Sequence, residues 1–395
     1  MAVEPVVKAD AYGLGAVPVA RALEAAGADG FCVAAYDEAV ELRRGGVRGP
    51  ILVFYPPDPA LAVDAARRRI TLSAGDGVLL ERLLAGVAER PPGTPRLGVE
   101  LEVESGLGRG GFAADSIVEA ARAVGRAGGA VFVGAWTHLQ AAADRPRTAA
   151  QFERFEAALT ALQMAGLGPR RRHVVASSGL AIGGLAAYDS IRPGLAIYGI
   201  QPDDVAASAV SIESTRSAAS PLAGLRPVVS LKARPSRVAD LPADWGISYG
   251  PTFVTRRPSR IATLPLGYGD GWPRGLSNRA DALVRGVRAP LIGNISMDAL
   301  MVDVTSVPGP PVGVDDEFVL IGRQGGEEIP VAEVAQRLST ITWVVLSAIA
   351  RRVPRVYDAP SGAVGFRTLT TPGMTTWHAS SSGTATSATW RSTRS

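Results

Sequence analysis

Lysine is nearly absent from this chain. Of 41 lysine and arginine residues, only Lys8 and Lys232 are lysines. An arginine keeps its proton at any useful pH, whereas a desolvated lysine can become a free amine nucleophile. The lysine in the apolar run "PVVKADAYGLG" is therefore a candidate for chemistry. Cysteine is scarcer still. A single Cys32 excludes an internal disulfide framework and fits a reducing, cytoplasmic compartment. Its neighbours Phe31 and Val33 read as a buried strand, so Cys32 reads as a core thiol. No run approaches ~18 uninterrupted apolar residues, so no membrane-spanning helix is expected. The first residues include an acid and no long apolar segment, so no secretory signal is expected. The net charge is only +4 over 395 residues, and no basic stripe is interleaved with aromatics. Nucleic acid is thus not an expected partner, and no metal-ligand set is expected either. From Ser361 to Ser395 there is no Asp or Glu and a heavy load of Ser, Thr, Ala and Gly. Such a segment buries too little to offset its ordering entropy, so residues 361–395 are expected to form a disordered tail.

What is present alternates. "PVVKA" precedes the helical "VPVARALEAAG", and "GFCVAA" precedes "YDEAVELRRGG". "GPILVFY", "RLGVELEV", "AVFVGAWTH" and "RHVVASS" each lead into a helical stretch in the same way. This rhythm implies a parallel sheet and, repeated so often, a (β/α)8 barrel in which reactive residues gather at the C-terminal strand ends. Lys8, Arg109, His138 and Ser178 all follow apolar strand-like runs. After about residue 223 the pattern becomes strands split by Pro and Gly turns, with "IPVAEVAQRLS" the one clear helix. The expected architecture is α/β: a TIM-like (β/α)8 barrel over 1–223 and a mostly-β domain over 224–360. The loop-rich stretch from Gln201 to Gly224 reads as the linker. Lys232 falls in a β-domain strand and reads as a solvated residue, and His173, at the start of its strand, reads as structural.

Several stretches come together in one order: "VVKADAYGLG", "ESGLGRGGF", "WTHLQ", "IRPGLAIYG", "ISYGPTF", "LPLGYGDGWPR", "NISMDALMVDV" and "RVPRVY". In this the chain resembles bacterial alanine racemase, a fold-type III pyridoxal-phosphate family of shared-site homodimers. The resemblance implies interconversion of L- and D-alanine through an aldimine of the cofactor, supplying D-alanine for peptidoglycan. It implies that Lys8 forms the Schiff base and works on one face of the substrate, with Tyr249 of the partner subunit working on the other. His138 and Arg192 would support that phenol, whose unperturbed pKa is near ~10. Arg192 would also face the pyridine nitrogen, where many pyridoxal-phosphate enzymes place a carboxylate. Tyr12, Ser178 and the amides of Gly194 and Leu195 would hold the phosphate, with Ser177 a one-residue rival of Ser178. Arg109 would meet the substrate carboxylate, and Met297, Asp298 and Tyr268 would line the substrate entrance.

The chain departs from the family in places. Leu14 stands where a histidine is frequent, and Asp10 where Asn is common. Glu102 stands where many members have a lysine modified to a carbamate, so a native carboxylate is expected to supply that charge beside Arg109. Arg351 stands where some members have a phosphate-binding tyrosine. The lysine strand comes almost first, so either an upstream segment or a missing wall helix is expected. Other readings are a racemase of broader or different specificity, a decarboxylase, a non-catalytic cofactor carrier, or a truncated inactive homologue. Arg192 argues against a decarboxylase, and the presence of Tyr249 argues against a carrier.

Overall fold

A computed structural model describes residues 1–206, 222, 224–358, 364–369 and 375–377. Eight short strands come first: β1 (Ala2–Val3), β2 (Phe31–Val33), β3 (Ile51–Val53), β4 (Ile70–Ala74), β5 (Leu97–Glu102), β6 (Ala130–Trp136), β7 (Arg171–Ala176) and β8 (Ser190–Arg192). They pair in parallel in the order β1-β8-β7-β6-β5-β4-β3-β2. A parallel bridge between Val6 and Cys32 brings β1 back to β2 and closes the ring. Two bonds seal that seam: Val7 N–H to the Cys32 carbonyl and Cys32 N–H to the Pro5 carbonyl, each 2.9 Å. Strands buried on both faces need continuous apolar sequence, and Val, Leu, Ile and Ala supply it here.

The β4 strand and the helix Gly77–Ala88 after it complete a βα unit that the rhythm described above passes over. Its signals are local. Asp76 caps the helix by accepting the Leu79 N–H at 2.9 Å, and Leu80, Leu83, Leu84 and Val87 form its buried stripe.

The stretch "PVVKA" is also less regular than a single strand. Glu4 N–H reaches the Ile191 carbonyl and Val6 N–H the Pro193 carbonyl, but Pro5 between them has no N–H to give. Beyond Val7 the chain enters a left-handed turn: Ala9, Asp10, Ala11 and Tyr12 have φ of 52°, 55°, 53° and 53°, and Gly13 follows at 78°. Left-handed backbone costs roughly 1–2 kcal/mol per non-glycine residue, so the turn needs external support. Ala9 N–H donates to Glu38 Oε1 at 2.5 Å, and Ala16 N–H to Asp10 Oδ1 at 2.8 Å. The ring of Tyr12 packs on that of Tyr198, with centroids 5.2 Å apart. Lys8 stands at the entry to this turn, so the strain is spent on the backbone that aims its amine.

The second sheet is antiparallel. Its strands are β9 (Leu231–Ala233), β10 (Arg237–Leu241), β11 (Ser259–Leu264), β12 (Asp281–Val284), β13 (Val287–Ile292), β14 (Leu300–Asp303), β15 (Phe318–Gln324) and β16 (Glu327–Ile329). They run in the order β10-β11-β14-β13-β12-β15-β16, with β9 added on β15. A helix at Val331–Arg337 matches the expected one, and Thr342–Ser347 adds a second. Both sheets belong to one compact unit, Met1–Ala350.

The remaining unit, Arg351–Ser395, holds a small antiparallel sheet of β17 (Arg355–Asp358), β18 (Val364–Arg367) and β19 (Thr375–Trp377). The last two strands lie in the stretch expected to be a disordered tail. Composition counts buried side chains only, whereas pairing Val356 with Phe366 also satisfies backbone donors and acceptors. Residues 361–363, 370–374 and 378–395 lie outside the described residues, as do 207–221 and 223 of the expected linker. Among the described residues no helix is long and apolar enough to cross a membrane.

Gly13 tests the supported turn. A Cβ there would lie 2.4 Å from the Leu346 carbonyl oxygen, on a backbone already at φ 78°. Gly13→Ala should cost about 1–3 kcal/mol, read as a lower midpoint in thermal unfolding. An unchanged midpoint would show that the turn does not depend on this close approach.

Candidate active site

The C-terminal ends of the barrel strands open into one cavity. Lys8, Tyr12, Arg109, His138, Ser177, Ser178, Arg192, Gly194 and Leu195 line it. Eight residues expected at a cofactor or substrate site are thus brought together: Lys8 after β1, Arg109 after β5, His138 after β6, Ser178 after β7, and Arg192, Gly194 and Leu195 at β8, with Tyr12 on the left-handed turn.

Arg192 sets the electrostatics. Its side chain is buried and holds its charge there. One Nη donates to the Thr137 carbonyl at 2.7 Å and to the Val174 carbonyl at 3.4 Å. The other donates to His173 Nδ1. The guanidinium also lies 5.1 Å from the centroid of the Trp136 ring, at cation–π distance.

Its neighbours respond. Burial, then Arg192, Arg109 and Lys8, push His138 down to about 3, so its ring is neutral at pH 7. Burial and then the Arg109 charge lower the basicity of the Lys8 amine, which favours the nucleophilic form. Arg109 in turn donates to Glu102 Oε1 at 3.0 Å. Burial holds the Glu102 carboxyl above the usual range, and Arg109 opposes that shift. Glycines crowd this carboxylate: a Cβ at Gly75 would come within 3.2 Å of Glu102 Oε2 and 2.9 Å of the Gly111 nitrogen.

At the opposite wall, Tyr12 and Gly194 meet closely. A Cβ at Gly194 would fall 2.5 Å from the Tyr12 hydroxyl, so only glycine fits. Burial raises that phenol to about 12 and keeps it a neutral donor. Ser177 Oγ accepts the N–H groups of Gly194 at 2.7 Å and Ala196 at 3.2 Å, bracing the turn after β8.

The remaining expected residues lie elsewhere on the chain. Tyr249, Tyr268, Met297 and Asp298 line a second, shallower cavity with Arg274 and Asn294. Tyr249 is 79% exposed. Its carbonyl and that of Gly250 both accept from Asn294 Nδ2, at 2.9 and 3.1 Å.

Sequence reading missed part of the cavity wall. Phe54, Tyr55, Trp136 and Trp343 are aromatic linings with no motif of their own. Trp136 is fixed by its indole N–H, which donates to Ser73 Oγ on β4 at 2.8 Å. Without that strand in the count, its role was not visible. Away from the site, Lys232 is an exposed residue paired with Glu317 at 2.9 Å, and Cys32 is fully buried.

A closed parallel barrel with a low-basicity lysine at its C-terminal rim, followed by an antiparallel domain, defines the class of fold: a barrel whose strand ends build one site. Comparison with known proteins narrows this class. Residues 1–202 match the family model for the alanine racemase N-terminal domain, and residues 228–357 that for the C-terminal domain. The chain belongs to the alanine racemase family. It is 42% identical to the alanine racemase of Symbiobacterium thermophilum over 358 residues, covering 89% of both chains. It is 38% identical to that of Sorangium cellulosum, over 90% of this chain and 91% of that one. Among solved structures it is similar to the Bacillus anthracis alanine racemase with bound L-Ala-P, with a TM-score of 0.81 at 30% identity. That match covers 92% of this chain and 90% of the other.

The two inner histidines make a pH prediction. Each titrates at 6.5 when free, but His138 lies near 3 and His173 near 4, burial and then Arg192 being the leading causes for both. Below the free value the unfolded chain binds protons that the native chain refuses. This stability is therefore whole above about pH 6.5 and is lost as pH falls toward 4. His138→Asn should remove up to one proton from the slope of stability against pH in that window, measured by urea unfolding. An unchanged slope would refute the shift.

Proposed function

We propose that this chain is an alanine racemase using pyridoxal 5'-phosphate, working as a homodimer with shared sites and supplying D-alanine for peptidoglycan. The observation that carries the reading is one cavity holding both a low-basicity lysine amine and a buried guanidinium, Lys8 and Arg192. The donor set suits a flat aldehyde bearing a phosphate. Lys8 would hold its carbonyl carbon, and Arg192 would meet its ring nitrogen. Tyr12 and Ser178, with the Gly194–Leu195 turn, would take its phosphate, and Ser177 keeps that turn in place. Once bound, pyridoxal phosphate supplies an electron sink that acidifies the Cα–H of an amino acid.

The chain's own residues do the rest. Inverting a stereocentre takes one acid/base group on each side of Cα. Lys8 Nζ serves one side, and Tyr249 Oη of a second copy serves the other. Neutral His138 gives or takes a hydrogen bond without adding a charge. Arg192 cannot accept a proton, so it would leave a ring nitrogen facing it unprotonated. Arg109, steadied by Glu102, orients the substrate carboxylate.

Lys8→Ala and Tyr249→Phe chains should each lack racemase activity in a coupled D-alanine assay. Co-expressed, they should regain about a quarter of it, because half of a random dimer population carries one intact site of two. No recovery would sink the shared site, and a wild-type protein without racemase activity would sink the whole reading. Glu102→Gln should lower turnover roughly 10–100-fold by loosening Arg109. Unchanged turnover would remove Glu102 from the site.

A further inference from the structure

Behind the cavity wall, a line of polar side chains continues from Arg192 through the barrel interior. Arg192 Nη1 donates to His173 Nδ1. On the far edge of the ring, His173 Nε2 lies 2.7 Å from Glu100 Oε2. The other oxygen of Glu100 accepts from Arg171 twice, Nε at 2.9 Å and Nη2. Arg171 also donates to Glu4, whose second oxygen accepts from Ser190 Oγ at 3.0 Å. His173 and Glu100 are both 0% exposed, so water does not complete the account.

The donors fix the proton. A guanidinium carries only N–H groups, so the ring nitrogen facing it must offer a lone pair. Nδ1 is therefore bare, and the proton of the neutral imidazole sits on Nε2. The partner there is a carboxylate with two oxygens, one for the histidine and one for Arg171. Trp136 stacks on the His173 ring at 4° between planes and also faces Arg192, so both flat groups are held by one indole.

We propose that Glu100 is a positioning residue for the reaction: by accepting Nε2–H it keeps His173 Nδ1 a bare acceptor, and that acceptor orients the Arg192 guanidinium at the cavity wall. The catalytic consequence rests on the racemase reading, but the proton placement does not.

The test is Glu100→Gln. Two Arg171 donors claim the amide oxygen, so the amide nitrogen turns toward Nε2. Donor then faces donor. The histidine proton is driven to Nδ1, where it meets Arg192, and the guanidinium must turn away. Only three histidines occur in the chain, so ring nitrogens are readily assigned by two-bond 15N–1H NMR with His138→Asn and His173→Asn as references. The wild-type protein at neutral pH should show His173 with a bare Nδ1 and a protonated Nε2. Glu100→Gln should lose that pattern and lower kcat roughly tenfold or more, with a smaller change in KM. Glu100→Asp should restore the wild-type pattern and part of kcat. The proposal is overturned if wild-type His173 carries its proton on Nδ1, if Glu100→Gln keeps the wild-type pattern, or if the pattern changes with kcat intact. Should the glutamine variant not fold, the wild-type spectrum alone still decides the proton placement. A wild-type enzyme without racemase activity strikes the functional reading and leaves that spectrum interpretable.

Discussion

A guanidinium with no route to neutrality sits inside this barrel, and the rest of the site is arranged to accommodate it. Burying an ion costs several kcal/mol even after relaxation, and Arg192 cannot escape the cost by losing a proton. The barrel offsets it in three ways: two backbone carbonyls, one aromatic face, and a histidine that hands the interaction on to a carboxylate. Charge closes as well. Arg192 and Arg171 are matched by Glu4 and Glu100, with neutral His173 as the spacer between cation and anion. Removing one member would leave the others buried and uncompensated, a loss of about 3–5 kcal/mol for a broken buried pair. The pairing therefore acts as one unit spread over β5, β7, β8 and the residue just after β1.

Burial first, and nearby cations second, govern acid–base behaviour at the rim. His138 is held neutral by burial and by three cations around it. Lys8 is lowered by burial first and by Arg109 second. Glu38 moderates this by raising the amine, while Glu102 pairs with Arg109. An amine needs its lone pair to bond to carbon and its proton to act as an acid, so a lowered but not abolished basicity suits both tasks. The left-handed turn after Lys8 contributes rigidity to the same end, since the amine's anchor is held by Glu38, Asp10 and the tilted Tyr12–Tyr198 ring contact.

The rim was legible in the sequence because rarity and position coincide there. A chain with two lysines that places one just after an apolar run announces that residue. Arg109, His138, Ser178 and Arg192 were legible through their strand-end positions and their motifs. The interior was not. "LGVELEV" shows two glutamates two residues apart, and a period of two puts both on one face. Sequence alone does not say which face, since both faces of a barrel strand are covered. The ring closure decides it: Glu100 is 0% exposed and Glu102 8% exposed, one deep and one at the rim. His173 looked structural because no motif links it to Arg192. Its meaning comes from a contact made across two strands, by residues 19 positions apart. The unit around β4 was lost for another reason. In "ITLSAGDGVLL" only Gly75 and Asp76 separate the strand from the helix, so the two apolar runs read as one.

Apart from Trp343, one chain lines its cavity from the barrel side. Lys8 reaches the cavity from a strand end, and every strand end of a parallel barrel points to the same rim. A group on the opposite side of the same carbon therefore has to come from a roof over that rim. Tyr249 has the properties of such a roof residue. Its side chain is exposed, yet its backbone is pinned, with Asn294 gripping two consecutive carbonyls and left-handed Ser248 and Gly250 on either side. A flexible exposed tyrosine would have to lose backbone freedom on docking, about 1–2 kcal/mol per residue fixed. Here most of that ordering is complete before anything docks. A tyrosine held in water on a rigid support is ready for a second surface to cover it. The proposed exchange of tyrosines between two copies meets that need and the stereochemical one at once: each rim gains its second face, and each exposed phenol gains a pocket.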